Sequence, residues 1–106
     1  QKTSDLNEIQ GQYIGLMKFQ NNGLEFIKKK YDEAKAISKN NKNILNPNLD
    51  FKKSYMTDFL QYLIRNNAKL KAVYIKNGWL ELDSMNDYKT YQTLMKSGTL
   101  SKFFRI

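Results

Sequence analysis

The sequence predicts an α+β fold, mostly helical, with one antiparallel β-hairpin. Three observations carry this. Leu6, Ile9, Tyr13, Leu16, Met17, Leu24, Ile27, Tyr31 and Ala34 fall on one stripe at helical spacing. Asn77-Gly78 stands between two β-prone runs, and that pair best tolerates the positive φ that both central positions of a type I′ turn need. Phe51, Tyr55, Met56, Phe59, Leu60, Tyr62, Leu63 and Ile64 would cover most of the circumference of one helix, which therefore belongs at the centre.

In chain order, a long amphipathic helix is expected over residues 5–38, capped by Asp5, or by Ser4 with Glu8 nearby. Gln20-Asn21-Asn22-Gly23 reads locally as a break, yet the stripe keeps its phase across it. A continuous helix, straight or kinked near Gly23, is the preferred reading. Straight, it would be about 50 Å long, against about 35 Å for a compact domain of this size. It then overhangs and needs a second chain, or it folds back.

Residues 40–49 are rich in Asn and carry Pro47, which marks a loop. Asp50 is the expected N-cap of a central helix at about 51–66. The hairpin follows at 69–83, its turn at Asn77-Gly78. That register places Val73, Ile75, Leu80 and Leu82 on one face and Tyr74, Lys76, Trp79 and Glu81 on the other. Ser84 and Asp87 have the spacing of a capping box for a helix at about 84–97, with Met85, Tyr88, Tyr91, Leu94 and Met95 on its buried side and Gly98 as its stop. Residues 99–106 form either a last helical turn or a third strand beside the hairpin.

At 106 residues the chain is read as a single domain, 1–106, large enough for a core without metal or disulfide. Seven Tyr, six Phe and one Trp supply that core. No apolar run reaches the roughly 18 residues of a membrane span. Cys and His are both absent, which removes thiol nucleophiles, thiolate and imidazole metal ligands and the usual neutral-pH base. No cofactor or metal is expected. The start at Gln1 rather than Met fits leader removal or a trimmed chain, and an exported location (periplasmic or secreted) is favoured over a cytoplasmic one.

Function is read as a non-enzymatic protein-binding module: a small accessory, inhibitor, immunity-type or assembly subunit. Tyr74, Lys76, Trp79 and Glu81 form its candidate partner-binding face, because exposed Trp and Tyr dominate interface energies. The long helix would contact another protein or a second copy. The net charge of +8 supports an alternative, a winged-helix-like nucleic-acid-binding module using a basic surface of Lys35, Lys39, Lys42, Lys52, Lys53 and Arg65. The polar strip of the central helix is too poor in Arg, Lys and Asn for base reading. Glu81 and Asp83, two apart on one strand, could hold a hard cation or do hydrolytic acid–base work. Without His, Cys or a phosphate loop beside them, the sequence reads as non-enzymatic.

Overall fold

A computed structural model describes residues 5–104. Among these are three α-helices, α1 (Asn22–Asn40), α2 (Met56–Arg65) and α3 (Met85–Lys96), three short 3-10 turns, and no β-strand. The protein is therefore helical rather than α+β. The chain gathers into two compact units. The first holds residues 5–10 and Gly15–Lys71; the second holds Gly11–Ile14 and residues 72–104.

In the first unit the expected long helix is cut short. Leu6–Glu8 makes one 3-10 turn on an Asp5 cap, and helix resumes only at Asn22. Gly15 at φ +83° and Asn21 at φ 52° are left-handed, a conformation that a right-handed helix cannot run through. The break at Gln20–Gly23 thus prevails over the phase of the stripe. Gly23 is no kink; it lies in the first turn of α1. Of the stripe N-terminal to the break, Leu16 stays 70% exposed. Residue 4, the second capping candidate, lies outside the described residues.

The helix expected at about 51–66 is also divided. Phe51–Lys53 is a 3-10 turn, Ser54 is extended, and α2 starts at Met56. Asp50 makes no side-chain cap bond. The cap comes from Asp58, whose Oδ2 accepts from the Tyr55 N–H at 3.0 Å and from Asn46 Nδ2 at 3.2 Å. Packing is one-sided: Phe59, Tyr62 and Leu63 join Ala34 of α1 in the core, with Phe26, Ile27, Leu45, Phe51, Leu60 and Ala68 around them. Tyr31 meets the ring of Phe59 edge-on at 5.8 Å and that of Phe51 at 5.7 Å. Tyr55 at the N-cap and Met56 and Ile64 on α2 are exposed. On α1, Lys30 and Glu33 pair at 2.7 Å. That hydrogen bond raises the Lys30 pKa and lowers that of Glu33, so each holds the other charged.

The loop 41–49 is built around buried Asn43. Its Nδ2 donates to the Leu49 carbonyl at 3.0 Å and to Ser54 Oγ at 2.7 Å, and its Oδ1 accepts from the Leu45 N–H at 3.0 Å. One amide thus closes both ends of the loop. Asn43→Ala is expected to destabilise the first unit by about 1–3 kcal/mol, because three polar groups lose their partner in a place water reaches poorly. Urea unfolding followed by far-UV circular dichroism reads this directly, and an unchanged midpoint would contradict it.

In the second unit the hairpin over 69–83 is not present. Its corner is: Asn77 has φ 59° and Gly78 φ 80°, the signs a type I′ turn requires. The flanking runs nevertheless form no ladder. The Gly78 N–H donates to the Phe103 carbonyl at 2.7 Å and Asn77 Nδ2 to the Lys102 carbonyl at 3.0 Å, so the corner is held by the C-terminal segment. Among the described residues no layer covers the intended inner face, with Val73 at 82% and Leu82 at 61% exposure. A two-stranded ribbon without a buried face is marginal, since nothing offsets the cost of ordering it. The C-terminal stretch makes a 3-10 turn at Leu100–Lys102 rather than a third strand; residues 105–106 lie outside the described residues.

Candidate functional site

The chemistry-bearing residues of the second unit converge where the run after Asn77-Gly78 enters α3. Ser84 and Asp87 form the capping box that their spacing implies. Ser84 Oγ accepts from the Asp87 N–H at 3.2 Å. Asp87 Oδ2 accepts from the Ser84 hydroxyl at 2.7 Å, the Ser84 N–H at 2.8 Å and the Asp83 N–H at 3.2 Å. These donors, the Ser84 hydroxyl foremost, hold the Asp87 carboxyl below the usual carboxylate range.

The run leading into this cap is braced from two directions. Tyr91, two turns into α3, donates its hydroxyl to the Glu81 carbonyl at 2.6 Å. Gln12 reaches the Glu81 carboxylate at 3.5 Å from a segment 69 residues away in sequence. Beside it, Gly11 passes so close to the Tyr74 ring that a Cβ there would stand 3.1 Å from it. Asp83 differs from its neighbours: its N–H is used by Asp87, while its exposed carboxylate has no partner among the described residues. It borders an open, largely apolar hollow of about 410 Å³ formed with Leu82, Ser84, Met85 and Tyr88. The result is one uncommitted carboxylate on a fixed backbone, next to an apolar shelf.

Of the expected partner-binding residues, Tyr74, Lys76, Trp79 and Glu81 all lie in this unit and are exposed, Trp79 at 43% and Tyr74 at 69%. Without a ladder they do not share the face of a ribbon. The expected basic residues, Lys35, Lys39, Lys42, Lys52, Lys53 and Arg65, all belong to the first unit and are exposed. Among the described residues, Lys53 alone of these has an ion pair, to Asp50 at 3.7 Å. Sequence reasoning missed Gln12 and Tyr91. A bond across 69 residues leaves no local signal, and Tyr91 reads as a core aromatic. Among the described residues no group of three or more Asp or Glu could hold a metal by protein ligands alone, and no helix is long and apolar enough to cross a membrane.

No known protein family and no solved structure matches the chain. A curated protein does: the chain is 38% identical over 86 residues to one named CTP:phosphoglutamine cytidylyltransferase, from Campylobacter jejuni. The matched stretch is 81% of this chain and 32% of the relative, so the chain spans about a third of that protein's length. The likeness overturns the expectation of a non-enzymatic binding module, and with it the nucleic-acid-binding alternative. The relative is an enzyme, and the aligned stretch takes in 81% of this chain.

Proposed function

We propose that this chain is part of a nucleotidyltransferase-type enzyme that moves a cytidylyl group from CTP to a small phosphorylated acceptor such as phosphoglutamine. The observation that carries the reading is the 38% identity across 81% of the chain. The net charge of +8 accords with it, since a cationic protein attracts polyphosphate substrates.

The chemistry fits a chain without His or Cys. An oxygen of the acceptor phosphate attacks the α-phosphorus of CTP, the bond to the bridging oxygen breaks, and pyrophosphate leaves with that electron pair. A phosphoryl group carries ionised oxygens at neutral pH, so the attacking oxygen needs no base. What the reaction does need is positioning and relief of negative charge. In that setting an uncommitted carboxylate is useful as a holder of a hard cation, which commonly takes one or two carboxylates and completes its shell with substrate phosphates. Asp83 suits this role, with Glu81 two residues before it. The cation, when bound, would supply charge neutralisation along the triphosphate.

The test is pyrophosphate release by the full-length protein that carries this chain, with each of the four nucleoside triphosphates and with phosphoglutamine present or omitted. Release is expected with CTP and only when the acceptor is present. No release with any triphosphate across a panel of phosphorylated amides, amines and sugars would refute the reading.

A further inference from the structure

Asn followed by Gly is the pair at which a chain most readily modifies itself. Glycine has no side chain to keep its backbone nitrogen away from the preceding side-chain amide. When that nitrogen loses its proton it can attack Cγ of the asparagine. The Cγ–Nδ2 bond then breaks, ammonia leaves and a cyclic succinimide remains, which water opens to aspartate or isoaspartate. The chain has two such pairs, Asn22-Gly23 and Asn77-Gly78. The first lies in the opening turn of α1, where the Gly23 N–H donates to the Gln20 carbonyl at 3.1 Å. The second is an exposed corner outside any helix, and both groups that would react there are held from elsewhere in the chain.

The attacking group, the Gly78 N–H, donates to the Phe103 carbonyl at 2.7 Å, and the leaving group, Asn77 Nδ2, donates to the Lys102 carbonyl at 3.0 Å. Two adjacent carbonyls thus occupy the proton that must leave and the amide that must turn toward the nitrogen. Their segment is itself fixed. The Thr99 N–H donates to the Leu94 carbonyl of α3 at 2.9 Å, and the Phe103 N–H to the Leu100 carbonyl at 2.9 Å. We propose that Asn77 is a deamidation site guarded by residues 102–103, and that its conversion releases them irreversibly. Release follows from the chemistry of the product. A carboxylate has no N–H to give the Lys102 carbonyl and sets oxygen against oxygen. Isoaspartate also inserts an extra main-chain carbon, which shifts the Gly78 N–H off Phe103. None of this depends on the nucleotidyl-transfer reading.

The test holds the full-length protein at mildly alkaline pH, folded or in urea, then cuts it with pepsin in acid so that digestion adds no deamidation. Mass spectrometry reads Asn22 and Asn77 separately. Asn77 is expected to deamidate at least ~10-fold more slowly in the folded protein than in urea, because reaction waits on local opening. Phe103→Pro removes the N–H that closes the last turn and drives Lys102 out of helical backbone. It should return Asn77 most of the way to its rate in urea, while Asn22 keeps its folded rate. Equal rates for Asn77 in folded protein and in urea overturn the proposal. So does a Phe103→Pro protein in which Asn77 stays slow, since the corner then protects itself, or in which Asn22 accelerates equally, since protection then belongs to folding as a whole. Asn77→Asp, one of the two products, should speed hydrogen exchange at the Gly78 amide at least ~10-fold; unchanged exchange there overturns the release.

Discussion

Leu63→Ala is expected to lower the stability of the first unit by about 3 kcal/mol, within the range for truncating a fully enclosed leucine. Leu63 has no exposure, and among the described residues it is the one large side chain that is completely buried. It lies on α2 in one core cluster with Phe59, Tyr62 and Ala34 of α1. Removing three carbons there leaves a void that rings pinned by their own contacts cannot collapse to fill: Phe59 is held edge-on by Tyr31, which also packs on Phe51. Domain stabilities run to roughly 5–15 kcal/mol, so one methylated branch accounts for a large part of what holds α1 to α2. Urea unfolding followed at 222 nm should show the loss as a lower midpoint with an unchanged slope. Leu63→Met, which conserves volume, should cost less than about 1.5 kcal/mol. A loss below about 1 kcal/mol for the alanine variant would mean that the core sits elsewhere.

What could be read from the residues alone was local, and what could not be read was mostly remote. Asn77 and Gly78 adopt the positive φ that their side chains allow, because a two-residue corner depends on those residues only. Whether the flanking runs pair depends on a layer to cover Val73 and Ile75, and no property of the runs themselves says whether one is there. Ser84 and Asp87 close their box for the same reason that the corner forms: donor and acceptor are three residues apart. The first helix failed where two local signals conflicted. The apolar stripe kept its phase, but Gly15 and Asn21 turned left-handed, and a backbone that has left the helical region is not brought back by side-chain periodicity. Asn43 is one Asn among several in a loop; its role rests on bonds to Leu49 and Ser54, six and eleven residues on, which no local pattern announces. The absence of His and Cys argues only against a reaction that needs a neutral-pH base or a soft nucleophile, and the proposed transfer between phosphates needs neither.

On the cytidylyl-transfer reading proposed above, Asp83→Asn is expected to reduce transfer by the full-length protein on the order of 10²-fold, a size typical for losing one electrostatic contact made in the transition state, while leaving thermal stability nearly unchanged. The two halves of this expectation have separate grounds. Asparagine keeps the shape and the backbone N–H that Asp87 accepts, and the lost carboxylate had no partner among the described residues, so folding has little to lose. Transfer loses the one carboxylate beside the shelf that is not already occupied. Asp87→Asn is the contrasting variant. Its carboxylate accepts from Ser84 twice and from Asp83 once, and these bonds lower its pKa in the folded state. A depressed folded pKa contributes stability that is present above the ordinary carboxylate value and is lost as pH falls through the depressed one. The Asp87 contribution therefore holds at neutral pH and fades only in acid. Melting curves between pH 7 and pH 2 should show the α3 region of Asp87→Asn destabilised at neutral pH and converging on the unsubstituted protein in acid. If Asp83→Asn instead transfers cytidylyl groups at an undiminished rate, this carboxylate has no part in the chemistry and the active site lies elsewhere in the enzyme.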